Sequence, residues 1–125
     1  VRFTTSFASD YAFEAGRAEM KRLLALGPPA EAYFCGDDVL SIGALSALDE
    51  AGLRVPQDVG VLGLNDMEMA GWANINLTTI RQPIAEIITA SIALVIEGMA
   101  DKDAAPQARL FDCSVVERGT LRPRA

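Results

Sequence analysis

Four polar side chains follow two apolar runs of the chain, and they are the first candidates for chemistry. They are Asp37 and Asp38 after the run AYFC, and Asn65 and Asp66 after the run VGVLGL. If both runs are parallel strands of one sheet, their carboxyl ends meet at the edge where such sheets bind ligands. The sequence therefore predicts a ligand site at this edge.

Several catalytic chemistries use acidic side chains or loops at such an edge, and the sequence argues against each. An aspartyl-phosphate site also needs a lysine at a late strand end, but Lys21 falls in a predicted helix and Lys102 in a predicted loop. A glycosidase pair at Asp37 and Asp38 would have to flank one bond, which adjacent residues at a helix start rarely do. The chain has no histidine, no Gly-x-Ser-x-Gly elbow and no glycine-rich phosphate loop after a strand. No enzymatic activity, metal or cofactor is predicted.

A strand–helix–strand unit is expected to position these side chains. Either aspartate can cap the helix, because a carboxylate there accepts the free N–H groups of the first turn. Ile42 and Leu45 recur at helical spacing, and Gly52 suits the left-handed residue after a helix. A unit of this size most simply connects two parallel strands by a right-handed crossover.

Further strands and helices alternate on both sides of this unit, which predicts an α/β fold with a mainly parallel sheet flanked by helices. Asp10 can cap the helix before the unit, in which Gly16 is expected to approach a neighbouring strand. The other predicted elements are a strand at 1–5, a helix at 11–26, a short helix at 67–72, strands at 77–81 and 110–116, and a helix from Ile84 to Met99. The isoleucines of that last helix are expected to belong to a core.

Length, charge and cysteine count restrict the class of protein. The chain has 125 residues, 50% of them hydrophobic, which fits at most one ordinary folded domain. A formal charge of -6 without a Lys or Arg cluster argues against binding of nucleic acid or anionic membranes by this segment. Cys35 and Cys113 are expected to be buried free thiols in a reducing compartment, and a disulfide between them is the alternative, since sequence does not show their separation. Because Val1 is not a natural start, the chain is expected to be a piece of a longer one.

Four stretches, taken together, resemble the lactose/galactose repressor family of bacterial transcription regulators. They are GDDVLSIGAL from Gly36, GLRVPQDVGVLG from Gly52, LTTIRQP from Leu77 and VERGT from Val116. None of these motifs is specific alone, but their order and spacing are. The resemblance covers nearly the whole chain.

This resemblance implies an incomplete periplasmic-binding-protein-like (type I) effector-binding core. Residues 1–81 and 113–125 would form part of its C-terminal subdomain, and residues 82–112 would belong to its N-terminal subdomain. The family's N-terminal helix-turn-helix, which reads operator DNA, is absent from this chain. The apolar face of the helix from Ile84 would then lack its usual cover, and its exposure would favour self-association.

The resemblance also assigns residues to the effector cleft. Asp37 stands where the family usually has an asparagine that touches the effector, and Asn65 stands where it usually has an aspartate. The two residue types are exchanged, yet one carboxylate and one amide remain to bind hydroxyl groups. Tyr11 matches a position that is often aromatic and packs on the effector. Asp10 and Asp38 are weaker effector candidates, because helix capping is the simpler role for each.

A dimer interface and a regulatory role follow from the same resemblance. Ile42 and Leu45 lie on the helix, and Trp72 in the loop, that pack against the partner subunit in the family, although core packing is a simpler account of each. The implied function is that of a cytoplasmic, homodimeric regulator in which a small effector, often a sugar, alters operator affinity. The alternative is a periplasmic sugar-binding protein of a transport system, which would carry a signal peptide and need no dimer.

Overall fold

A computed structural model, which describes residues 2–123, shows helices and strands alternating along the chain. The elements in order are α1 (Phe13–Ala25), β1 (Ala32–Phe34), α2 (Asp38–Glu50), β2 (Gly60–Leu64), a short 3-10 helix (Glu68–Gly71), β3 (Thr79–Arg81), α3 (Ile84–Ala100) and β4 (Ser114–Val116). The strand predicted at 1–5 is wrong for residues 2–5, which are exposed and pair with no strand; Val1 lies outside the described residues.

The four strands form one sheet in the order β1-β2-β3-β4. Strand β2 is parallel to both neighbours, with Tyr33 of β1 opposite Val61 and Ile80 of β3 opposite Leu64. The predicted α/β class with a mainly parallel sheet is therefore confirmed. Parallel pairing brings the carboxyl ends of β1, β2 and β3 to one edge of the sheet.

The core lies where helix α2 packs on strand β2. Leu48, Val59, Val61 and Leu77 are each 0% exposed and form one apolar cluster. Burial of side chains of this size stabilises a fold by about 1.5–3 kcal/mol each before the entropy of ordering is subtracted. This cluster fixes α2, and with it the start of the helix that carries Asp37 and Asp38.

Two glycines allow helices α1 and α2 to cross at backbone contact. A Cβ on Gly43 would collide with the carbonyl oxygen of Phe13, and a Cβ on Gly16 would collide with that of Leu40. The expectation that Gly16 approaches a strand is therefore wrong, because its neighbour is helix α2. At the C-terminal end of α2, the Glu50 carboxylate forms ion pairs with Arg17 and Lys21 of α1.

The described chain divides into two compact units. The residues up to Arg81 and those from Val115 onward form the first unit, and Gln82–Ser114 form the second. The assignment of these units to two subdomains of a larger core stays a prediction.

The second unit consists mainly of helix α3, none of whose residues is buried. An apolar stripe lies exposed along it: Ile84, Ile88, Ile92, Val95, Ile96 and Met99, between 49% and 78% exposed. The expectation that its isoleucines belong to a core is wrong, because none of them is buried. Within residues 2–123, no helix is both long enough and apolar enough to span a bilayer.

Candidate functional site

The two side chains assigned to the effector cleft lie in direct contact at the carboxyl edge of the sheet. The Nδ2 of Asn65 donates a hydrogen bond to Asp37 Oδ2 at 2.7 Å. The other carboxylate oxygen, Asp37 Oδ1, accepts the N–H of Val39 at 2.8 Å and so caps helix α2. The cap orients the carboxylate, and the contact with Asn65 links the ends of β1 and β2.

The loop after β2 has a backbone shape that suits its residue types. Asn65 and Asp66 have φ values of 106° and 50°, a left-handed region that asparagine and aspartate enter more readily than most residues. The N–H of Asn65 donates to the carbonyl oxygen of Ile80 at 2.8 Å, which continues the ladder between β2 and β3. The loop is thus fixed to both strands, and its two polar side chains diverge.

Asp38 lies beneath this edge and has a different environment from Asp37. Its side chain is 0% exposed. Its Oδ1 accepts the hydroxyl of Thr79 at 2.6 Å, and its Oδ2 accepts the N–H of Met67 at 2.7 Å. The interpretation of Asp38 as the helix cap is wrong, because Asp37 fills that place. Complete burial and two internal partners favour a structural role for Asp38 over effector contact.

Gly63 provides the space for this buried carboxylate. A Cβ on Gly63 would collide with Asp38 Oδ1 and would lie 2.9 Å from a methyl group of Leu77 and 3.0 Å from the Ser41 hydroxyl oxygen. The Ser41 hydroxyl in turn donates to the carbonyl oxygen of Asp37 at 2.9 Å. A residue without a side chain is therefore required on β2 beside Asp38.

Asp66 is held by two arginines. Its Oδ2 accepts from Arg81 Nε at 2.7 Å, and its Oδ1 accepts from Arg118 Nη2 at 2.7 Å. Burial raises the pKa of the Asp66 carboxyl, but the hydrogen bonds from Arg118 and Arg81 and their charges outweigh it, so the net pKa lies below the ordinary value. Asp66 is therefore ionised at neutral pH.

Tyr11 and Asp10 lie before helix α1 on the surface. Tyr11 is 73% exposed. The N–H of Tyr11 donates to Asp10 Oδ1 at 2.7 Å. The N-cap residue of α1 is Ala12, and no side chain forms a capping hydrogen bond there. The cap predicted at Asp10 is therefore wrong, because its carboxylate is used within its own turn. Contact of either side chain with an effector stays a prediction.

The candidates for a dimer interface lie on the same unit. Ile42 and Leu45 are partly exposed on α2, and both line an open groove of about 930 Å³ together with Phe13 and Leu53. Trp72 follows the 3-10 helix and is 53% exposed. All three are accessible, so core packing does not account for them fully. Their role in dimerisation stays a prediction.

Both cysteines are free. Cys35 is partly buried, and burial raises the pKa of its thiol against a smaller opposite effect from the Ser41 hydroxyl. Cys113 is exposed, so its predicted burial is wrong: the strand predicted to contain it begins only at Ser114. Within residues 2–123, no group of three or more His, Cys, Asp or Glu side chains is placed to hold a metal ion.

The Asp37–Asn65 pair presents hydrogen-bonding groups that suit a polar ligand. An ionised carboxylate accepts hydrogen bonds from hydroxyl groups, and an amide both donates and accepts them. The supporting residues Thr79, Arg81 and Arg118 were missed by sequence reasoning. An arginine at a strand end is a weak signal, because its partner is set by strand order rather than by a motif.

Comparison with known proteins identifies the family of this chain. Residues 3–121 match a family model described as a periplasmic binding protein-like domain. The chain is 37% identical over 113 residues to the HTH-type transcriptional repressor CytR of Escherichia coli K12, a match that covers 90% of this chain and 33% of that protein. The chain therefore spans about a third of the length of the curated relatives it matches.

Two solved structures share the fold. The transcriptional regulator CelR in complex with cellobiose superposes with a TM-score of 0.81 at 27% identity, covering 89% of this chain and 34% of that one. The lac repressor dimer bound to operator and the anti-inducer ONPF gives a TM-score of 0.78 at 28% identity, covering 90% and 39%. The predicted resemblance to the lactose/galactose repressor family is confirmed.

Proposed function

We propose, from the premise that this chain belongs to the family of periplasmic binding protein-like domains, that it is the effector-sensing part of a bacterial transcription regulator. The observation that carries the proposal is the contact between Asp37 and Asn65 at the carboxyl edge of a parallel sheet. The relatives support it, because CytR is a transcriptional repressor and the lac repressor structure is bound to operator.

The effector is proposed to be a sugar or a sugar derivative. A carboxylate and an amide side by side match the hydroxyl groups of a sugar, and Tyr11 supplies an exposed ring for its apolar face. The structure of CelR, which shares the fold, is that of a complex with cellobiose. Asp10 and Asp38 rank below these residues, Asp38 because it is buried.

The mechanism proposed is a shift in the population of DNA-competent molecules. Effector binding would favour one arrangement of two subdomains of the complete core, and operator affinity would change by the difference in effector affinity between the arrangements. A helix-turn-helix outside this chain would contact the operator. Ile42, Leu45 and Trp72 would contact a second copy in a homodimer. The protein is proposed to be non-enzymatic and cytoplasmic.

The alternative function is that of a periplasmic sugar-binding protein linked to transport. The coding sequence upstream of Val1 distinguishes this alternative from the regulator. The relatives found are repressors, which favours the regulator. Sequencing the coding region upstream of Val1 is expected to reveal a helix-turn-helix followed by further α/β sequence. A signal peptide in that region would instead assign the protein to transport.

Replacement of Asp37 tests the site. In the intact protein, Asp37→Ala is expected to weaken effector binding by at least about tenfold, because a charged hydrogen-bond acceptor is lost. Isothermal titration calorimetry against a panel of mono- and disaccharides that includes cellobiose measures the affinity.

Asp49→Ala is the matched control, since it removes an exposed carboxylate from the other end of helix α2. It is expected to leave effector affinity unchanged. If Asp37→Ala binds the effector as tightly as the wild type while circular dichroism shows an intact fold, the assignment of Asp37 is wrong.

A further inference from the structure

Asp66 lies between the two places where the chain leaves the first unit and returns to it. Arg81 is the last residue of that unit before the chain continues into the second at Gln82. The chain re-enters the first unit at Val115, and Arg118 follows shortly after strand β4. The carboxylate of Asp66 bonds to both arginines and therefore bridges the outgoing and the returning segments.

The contacts are close and partly shielded from water. The Asp66 side chain is only 9% exposed, and that of Arg118 is 18% exposed, whereas that of Arg81 is 57% exposed. Each arginine uses a different carboxylate oxygen, so neither competes with the other. Charge-assisted hydrogen bonds of this kind are about twice as strong as neutral ones, and shielding from water increases their effect.

Arg118 also binds the returning segment to the two residues that precede strand β3. Its Nη1 donates to the carbonyl oxygen of Leu77 at 2.8 Å, and its backbone N–H donates to the Thr78 hydroxyl at 2.9 Å. The Thr78 N–H donates in turn to the Thr120 hydroxyl oxygen at 2.9 Å. The returning segment is thus bound along its length, and Asp66 connects it to the loop after β2.

The same loop carries Asn65. Asp66 follows it directly, so the two residues share one planar peptide unit, and the Asn65 N–H donates to the carbonyl oxygen of Ile80, the residue before Arg81. We propose that Asp66 is a positioning residue: its carboxylate clamps the outgoing strand end at Arg81 and the returning segment at Arg118 to the loop that presents Asn65. The consequence for effector sensing, that a ligand on Asn65 acts on both connections, rests on the proposed function.

Hydrogen–deuterium exchange of the intact protein, without effector or DNA, tests the clamp. Asp66→Asn keeps the shape of the side chain but removes the charge that both arginines need. Its exchange is expected to rise by about tenfold in three segments, 65–67, 79–81 and 115–120, because opening there becomes easier. Peptides from β1 and α2 are expected to exchange as in the wild type.

Two single replacements distinguish a bridge from ordinary local packing. Arg81→Gln is expected to accelerate exchange at 79–81 and not at 115–120, and Arg118→Gln is expected to do the reverse. Of the three variants, only Asp66→Asn should accelerate exchange in both segments, 79–81 and 115–120. The control is Asp58→Asn, which breaks another carboxylate–arginine pair, with Arg54, within a single loop and should affect none of the three segments.

The clamp is overturned if Asp66→Asn accelerates only one of the two connections, neither of them, or all of the first unit equally. If Asp66→Asn does not fold, the two arginine variants decide: each must accelerate exchange in the shared loop 65–67 as well as in its own segment for the clamp to stand. Because no ligand or operator is used, failure of the clamp is separate from failure of the proposed function.

Discussion

Adjacent carboxylates at the start of α2 have different physical roles. Asp37 shares its oxygens between the helix cap and Asn65 at the rim. Asp38, one residue later, points into the fold and bonds to Thr79 and to the backbone of Met67. The first residue therefore suits ligand contact, and the second holds three segments of the first unit together.

Replacement of each aspartate by alanine is expected to separate these roles. Asp38→Ala should lower the free energy of unfolding by about 3 kcal/mol, because it leaves the buried Thr79 hydroxyl and the part-buried Met67 N–H without an acceptor. Asp37→Ala, the matched comparison, should cost only about 1 kcal/mol, the usual value of a helix cap. Urea denaturation followed by circular dichroism measures both. Equal losses for the two variants would contradict the structural role of Asp38.

At the scale of elements, the crossing of α1 and α2 depends on backbone contact at two glycines. Gly43→Ala should lower the free energy of unfolding by about 1–3 kcal/mol, the usual cost of overpacking. This loss would exceed the gain of up to about 1 kcal/mol that alanine gives in an unobstructed helix. The reason is that a Cβ at Gly43 meets the backbone of Phe13, which cannot rotate away.

Gly36 provides the control for this prediction. A Cβ there meets no atom within 4 Å, so Gly36→Ala should change stability by less than about 0.5 kcal/mol. Thermal and urea denaturation of the two variants test the comparison. A Gly43→Ala variant as stable as wild type would show that the helices can separate without loss, and would remove the stated reason for glycine at this crossing.

At the scale of the whole molecule, the exposed stripe on α3 is expected to make the 125-residue chain self-associate. Apolar side chains in a continuous patch gain free energy when they leave water. Sedimentation velocity over a range of concentrations should show reversible association. Ile88→Glu together with Ile92→Glu should weaken it, because each would bury a charge.

Ala90→Glu, on the opposite side of the same helix, should leave the association unchanged. A chain that stays monomeric at high concentration would contradict this expectation. So would association that the double isoleucine variant does not affect.

Local patterns in the sequence determined most of the secondary structure. The apolar run before Asp37, the helical spacing of Ile42 and Leu45 and the second run before Asn65 predicted a parallel strand–helix–strand unit, which the structure contains. They succeeded because each depends on the period of a strand or helix and on the residues that end it. The expected edge site followed from topology, since parallel strands end together. The resemblance then predicted effector contact for Asp37 and Asn65, and these roles stay predictions.

Tertiary structure alone decided which carboxylate does what. Nothing in the pair Asp37-Asp38 says which one caps the helix, because the choice depends on Thr79 and Met67, which are distant in the chain. The bridge from Asp66 to Arg81 and Arg118 was unreadable for the same reason. Burial and ion pairing depend on neighbours brought together by the fold, whereas helical and strand periods depend on neighbours along the chain.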